Sequence, residues 1–181
     1  MKLKDKELCI KNAEVKDAVI LAKWWNDGKV MAHAGFPDGL HITVSEIEEK
    51  LKTDSDEKGR RLIIEYGDEP IGEMNYNNKG NHIASIGIKI CEKTYQEKGL
   101  GRRCLSLLIR ELFDEGYEKI VLDTDLENKR AQHVYELLGF QKVSINFDSW
   151  KDQRGMFRSS VDYELKEKDF INHLKKSTVA Y

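Results

Sequence analysis

Six residues, Gln96-Glu97-Lys98-Gly99-Leu100-Gly101, lie between a β-rich run, Ile83 to Cys91, and an apolar-periodic helical segment, Arg102 to Gly116. Two glycines one residue apart at the mouth of a helix let backbone N–H groups close on an anion at the positive end of the helix dipole. The spacing therefore reads as a phosphate cradle. Arg102 and Arg103 fall in the first helical turn, where each cation opposes the dipole by about 0.3–1 kcal/mol. With Lys98 they set three cations beside the backbone donors, which suits a pyrophosphate. The same Gly-x-Gly spacing occurs in dinucleotide-binding loops, in P-loops and in plain turns. A P-loop is excluded, because no Gly-Lys-Ser/Thr ending follows. Asp123, at the end of the next strand, lies where a ribose-binding acid would stand, but Cys104 occupies the position of the third glycine.

The elements around this loop follow from periodicity and punctuation. A strand at Leu8 to Asn12 leads to a helix over Val15 to Asn26, closed by Asn26-Asp27-Gly28. Val30 to His41 reads as irregular, and Thr43 or Ser45 caps a second helix carrying Ile47 and Leu51. Three strand signals follow, at Arg61 to Tyr66, Pro70 to Tyr76 and His82 to Cys91, separated by turn residues; they predict an antiparallel meander. Cys104, Leu105, Leu108, Ile109, Leu112 and Phe113 form a helical stripe that stops at Gly116 as C′. Lys119 to Thr124 is a buried-type strand. Asn128 caps a helix bearing Ala131, Val134, Tyr135 and Leu138, with Gly139 at its end and Phe140 packing back. Strands at Gln141 to Phe147 and Met156 to Glu164 flank a long loop, Asp148 to Gly155, of the kind that carries function. From Lys166 the chain is charged and predicts at most a short helix.

Composition narrows the class. The chain has 181 residues, 40% of them hydrophobic, enough for one domain, 1–181, with its own core. Its 30 basic and 32 acidic side chains are interspersed at a net charge of -2, so no basic stripe marks a nucleic-acid partner. Cys9, Cys91 and Cys104 are odd in number and lack Cys-x-x-Cys spacing, which points to a reducing compartment without disulfides or structural zinc. The five histidines show no ligand spacing, so no metal is expected. No apolar leader and no run near the ~18 apolar residues of a membrane span is present. A cytoplasmic protein with no membrane partner is the expectation.

Gln96 to Gly101 resembles the Arg/Gln-x-x-Gly-x-Gly/Ala signature of the GNAT N-acetyltransferase superfamily, and Asn128-x-Arg130-Ala131-x-x-x-Tyr135-x-x-x-Gly139-Phe140 resembles its second block. The two stand in the family's order and at its usual separation. Trp24-Trp25-Asn26-Asp27 is similar to the Rim-type and aminoglycoside-acetyltransferase branches. Glu97 departs from the pattern, since many members carry a small residue such as glycine there. The resemblance implies an α+β, three-layer GNAT-type acyl-CoA N-acyltransferase fold: a mixed, mostly antiparallel sheet of about seven strands with helices on both faces.

It further implies acetyl-CoA as cosubstrate, in a V-shaped opening between the strand at His82 to Cys91 and that at Lys119 to Thr124. Pantetheine amides would add to an open edge at Lys89, Ile90 and Cys91. The pyrophosphate would lie on Gln96, Glu97, Lys98, Gly99, Leu100, Gly101 and Arg102, with Asn128 near the cofactor. A backbone N–H of that edge could polarise the thioester carbonyl.

Tyr135 matches the tyrosine that protonates the departing thiolate in many members; on the apolar face of its helix it also reads as a core aromatic. Asn128 also reads as a plain helix cap. An acceptor amine must lose a proton before it attacks. Glu73, a charge inside a strand between Gly72 and Met74, is the first candidate base and Asp123 the second; either also reads as an ion-paired or exposed carboxylate. Trp25, alongside Trp24, is a candidate wall of the acceptor pocket. Asp125 is a candidate acceptor contact, and with Asp27, Asp38, Asp148 and Asp152 it forms an acidic rim attractive to polyamines, aminoglycosides or peptide amines.

The reading that follows is acetyl-CoA-dependent transfer of an acetyl group directly to a primary amine of a small molecule or of a peptide or protein N-terminus. A non-catalytic acyl-CoA-binding module and a nicotinamide-dependent oxidoreductase are the rival readings. A homodimer is compatible with the sequence.

Overall fold

In a computed structural model, residues 1–174 are described. Eight strands form one mixed sheet: β1 (Lys2–Asp5), β2 (Leu8–Asn12), β3 (Gly59–Tyr66), β4 (Glu69–Asn78), β5 (Ile83–Ile90), β6 (Lys119–Asp125), β7 (Gln141–Lys151) and β8 (Phe157–Lys166), in the order β1-β2-β3-β4-β5-β6-β8-β7. The sheet exceeds the expected seven strands by β1, a charged N-terminal strand that pairs antiparallel with β2 across a turn at Lys6, whose φ is 56°. Only β5 and β6 pair in parallel. The helices are α1 (Ala18–Trp25), the single turn α2 (Gly28–Met31), α3 (Val44–Lys52), α4 (Leu100–Asp114) and α5 (Lys129–Leu137).

Period-two alternation along the strands builds two cores. Leu62, Ile64, Met74, Tyr76 and Ile86 face α4 and α5, where Leu105, Leu108, Ile109 and Leu112 are at most 1% exposed. Burial at that level stabilises by about 1.5–3 kcal/mol per side chain. Ile63 and Cys91 face the other way, onto Leu21 and Trp24 of α1 and Ile47 and Leu51 of α3. Helices thus cover both faces, as three layers require.

Local signals set the helix ends. Thr43, not Ser45, caps α3, in a capping box with Glu46. Gly116 and Gly139, both at φ 96°, follow α4 and α5 at C′, and the Phe140 N–H donates to the Tyr135 carbonyl at 3.1 Å. Two expectations fail. The span Val30 to His41 is not wholly irregular, because Asp27 accepts from the Lys29 N–H and caps α2. The first half of the long loop at Asp148 to Gly155 is strand: β7 continues to Lys151, with Trp150 opposite Arg158, past a register shift near Asp148, whose φ is 47°. A bulge absorbs turn-favouring residues there without ending the strand. Beyond β8, the charged tail forms a 3₁₀ turn at Glu167–Asp169; residues 175–181 of the tail lie outside the described residues.

One feature of the sheet positions everything else. β5 and β6 pair only at Ile83, Ala84 and Ser85 opposite Lys119, Ile120 and Val121. Past these, β5 stays with β4 up to Ile90 and β6 stays with β8 up to Asp125. Each strand keeps one partner, and the sheet opens as a V between them.

Candidate active site

The V opens into a cavity of about 990 Å³, walled by β5, the 96–101 loop, the start of α4, the end of β6 and α5. Hydrogen-bond parity identifies which part of β5 is free. The Ile83 carbonyl and the Cys91 N–H bond toward β4, while the His82 carbonyl accepts from Glu118 and Lys119 on the β6 side. Alternation then turns the backbone groups of Ile86, Ile88 and Ile90 toward the cavity. The Ile90 carbonyl is taken by Gln96 Nε2 at 2.8 Å, which ties the loop to the strand end. The open edge therefore runs from the Ile86 carbonyl through Ile88, since the Ser85–Val121 pairing uses the Ile86 N–H. Of the three edge residues expected, Lys89 turns its backbone away, and Cys91 has its N–H on the Ile71 carbonyl and its side chain in the second core.

The cradle takes shape from two positive φ values, 61° at Glu97 and 74° at Gly99, the residue before α4. Gly99 has nothing within 4 Å of a notional Cβ, and Gly101 only Ile88 and Ile90 at 3.9 Å, so bare backbone amides of the first turn face open space. Gln96, Glu97, Gly99, Leu100, Gly101 and Arg102 all line the cavity. Lys98 lies over the Tyr95 ring at 5.4 Å instead. The three-cation cluster does not form: Arg103 turns to the N-terminal hairpin and donates to Asp5 Oδ2 from Nε at 2.8 Å and from Nη2 at 2.5 Å. A long-range pair offsets its unfavourable place on the dipole. The space and exposed donors fit a nucleotide-linked pyrophosphate with a pantetheine arm along β5.

Tyr135 and Asn128 come from α5. Asn128 is both cap and wall, accepting from the Ala131 N–H at 3.2 Å while lining the cavity. Tyr135 is 7% exposed, its ring edge-on to Phe140 and Tyr163 at 5.9 and 5.8 Å. The core reading of this residue holds, and Tyr135 also lines the cavity. Burial and then the charge of Asp123 push the phenol up to about 12. Asp123, an exposed residue, lines the same cavity; partial desolvation and then Asp162 raise its carboxyl above the ordinary 3.8.

Glu73 lies in a second cavity of about 320 Å³, on the α1 and α3 face of β3, β4 and β5. It is 7% exposed, and its Oε1 accepts from Trp25 Nε1 at 2.9 Å and from Lys89 Nζ at 3.1 Å. Among the described residues Oε2 has no such donor. Lys89 lines both cavities. Trp25 reaches the second cavity, whereas Trp24 is core and donates to Glu92 at 2.9 Å.

Asp125 borders the large cavity, but its carboxylate is committed. Arg158 donates to Oδ2 from Nε at 2.9 Å and Nη2 at 2.6 Å, and the Glu127 N–H donates to Oδ1 at 2.8 Å. Sequence reasoning did not find the partner roles of Lys89 and Arg158, because cross-strand register creates both pairs. The parity of Ile86 and Ile88 was readable in principle from β5 alone. Among the described residues no group of His, Cys, Asp and Glu could hold a metal ion, and no helix is long and apolar enough to cross a membrane.

Comparison with known proteins agrees with this geometry. The chain is similar to spermidine N-acetyltransferase from Vibrio cholerae, solved with CoA and spermine (TM-score 0.81, 21% identity, 91% of this chain and 98% of that one). It also superposes on RimL, a ribosomal L7/L12 alpha-N-protein acetyltransferase solved with CoA (TM-score 0.82, 14% identity, 92% and 98%). A curated relative, N-alpha-acetyltransferase 30 of Saccharomyces cerevisiae, is 27% identical over 73 residues, 40% of this chain and 42% of that relative's length. A sequence model of the acetyltransferase (GNAT) family matches residues 32–140, more than half of the chain, and contains the V, the cradle and the Tyr135 helix. The chain belongs to the acetyltransferase (GNAT) family.

Proposed function

We propose that the chain transfers an acetyl group from acetyl-CoA directly to a primary amine, of a small molecule or of a peptide N-terminus. The observation that carries this reading is one cavity lined by the bare first turn of α4, the unpaired edge of β5 and Tyr135, beside a second cavity that shares Lys89 with it and is lined by a buried carboxylate.

The α4 amides and Arg102 hold the pyrophosphate, and β5 aligns the pantetheine amides. The Ile88 N–H polarises the thioester carbonyl as its oxygen gains charge. Glu73 Oε2 accepts the proton lost by the attacking amine, either directly or through one water. Tyr135 donates to the sulfur as the C–S bond breaks and relays it a proton. A phenol near 12 keeps that proton at neutral pH, and the burial that raises it also raises the proton affinity of a thiolate beside it. No covalent enzyme intermediate is needed, and the cysteines have no part: Cys104 is core, and burial raises the Cys91 thiol far above its ordinary range.

The test is thiol release by the purified protein with acetyl-CoA and an amine panel. Tyr135→Phe is expected to slow release by about 10²-fold or more while CoA still raises the melting temperature. Equal turnover in that variant removes Tyr135 from the acid role. Stabilisation by CoA with no release across the panel refutes acetyl transfer and leaves a binding module.

A further inference from the structure

We infer that the second cavity is the acceptor site and that it selects an amine carrying an anionic group, a carboxylate or a phosphate, over a polycation. The inference rests on the acetyltransfer reading and adds a substrate class to it.

The wall of this cavity is divided. Trp25, Met31, Leu40 and Ile42 give it an apolar side. Its floor is a row of odd-numbered strand residues, Glu73, Asn75 and Asn77 on β4, with Arg61 opposite Asn75 on β3 and Lys89 opposite Glu73 on β5. Two charge pairs are internal: Lys89 with Glu73, and Arg61 with Asp54, which accepts from Nη1 at 2.5 Å. Lys50 of α3 also lines the cavity and has no ion-pair partner among the described residues. The guanidinium of Arg60 is tied to Asp56.

Charge here runs in one direction. An amine at Glu73 Oε2 is held by a buried carboxylate. Two strand residues further, about 7 Å away, Arg61 still has donors besides Nη1, and Lys50, Asn75 and Asn77 line the same part of the wall. An acceptor with an amine at one end and an anion some four bonds away satisfies both ends. A diamine of the same length would set its second ammonium against Lys50, Arg61 and Lys89.

Four of the five carboxylates that suggested cation capture, all but Asp148, are engaged elsewhere. Arg154 binds Asp38, and Arg158 binds Asp125. Asp27 caps α2, and Asp152 accepts from the Arg154 and Met156 amides. The carboxylates lining this cavity, Asp54 and Glu73, are each already paired with a cation, Arg61 and Lys89.

A matched pair of probes tests the inference: 4-aminobutyrate and 1,4-diaminobutane share a carbon chain and differ in one end charge, and 1-aminobutane is the neutral control. Binding to the CoA-loaded protein is measured by calorimetry, and turnover by thiol release. 4-Aminobutyrate is expected to bind and turn over at least roughly tenfold better than 1,4-diaminobutane, about the effect of one charge-assisted hydrogen bond. Lys50→Glu is expected to erase or invert that ratio and Lys50→Arg to restore it, with stabilisation by CoA reporting that each variant is folded. A diamine that binds equally well or better, a ratio untouched by Lys50→Glu, or no binding of either probe overturns the inference. Lys50-dependent binding of 4-aminobutyrate without release of thiol from any amine would uphold the anion site and overturn acetyl transfer, so the two readings fail separately.

Discussion

At the scale of single residues, Glu73 and Asp123 compete for the role of base, and their surroundings separate them. Glu73 is buried, with one oxygen committed to Trp25 and Lys89 and the other free toward the second cavity. Asp123 stands beside Tyr135 in the donor cavity, with its carboxyl raised by partial desolvation and by Asp162. A carboxyl raised in the fold has its protonated form favoured there, so its contribution is full below 3.8 and is lost as pH rises through the folded value. Above that folded value the ionised Asp123 therefore opposes folding. Asp123→Asn is expected to stabilise the protein at pH 7 and to change it little at pH 4, as read by denaturant melts at the two values. If Glu73 is the base, the same variant keeps most of its thiol release, whereas Glu73→Gln loses about 10²-fold or more. The opposite ranking would assign the base to Asp123.

At the scale of elements, the loop and the strands differ in how much of them the sequence discloses. The loop's glycines, the caps at Thr43 and Asn128 and the stops at Gly116 and Gly139 are local, because each is decided by one or two backbone angles. The departure at Glu97 has a local reason too. Its φ of 61° is in the left-handed region, where glycine is unstrained and a long residue is strained. Glu97 is exposed, and its contact with Arg130 is a loose 3.8 Å pair. Glu97→Gly is expected to raise stability by about 1 kcal/mol without weakening CoA binding, as measured by thermal melts with and without the ligand. A loss of CoA binding would show that the carboxylate shapes the cradle. Strands were less legible. β1 is charged and reads as a tail until β2 supplies its partner, and β7 passes through residues that favour turns because β8 holds them in register.

At the scale of the whole molecule, two cores on opposite faces hold the sheet, and the V exists because β5 and β6 each have a better partner on the other side. The C-terminal hairpin closes one end of that opening: Trp150 lies against Gly35, and Gln153 bonds the Gly35 and Gly39 backbone. Asp125, with a side chain 1% exposed, anchors β6 to β8 through Arg158. Arg158→Met is expected to cost about 3 kcal/mol in denaturant melts, since it leaves a buried carboxylate without its cation, and Asp125→Asn in the same background should recover much of the loss. A cost below 0.5 kcal/mol would mean that water replaces the arginine.

The sequence alone determined the glycine loop that opens α4, the α5 segment with Tyr135, every α-helix of the described residues but α2, and the three-layer class, all of which depend on neighbours within a few residues. The nicotinamide reading, kept open by Asp123, ended with membership of the acetyltransferase family. Tertiary structure alone decided which side chains reach which cavity. It sent Arg103 to Asp5 and Lys98 to Tyr95, bound Asp125 to Arg158, turned Ile86 and Ile88 to the open edge, and set Glu73 against Lys89 and Trp25. The physical reason is register. Which strand pairs with which, and at what offset, fixes the partner of every charge, and no residue carries that offset in its own identity.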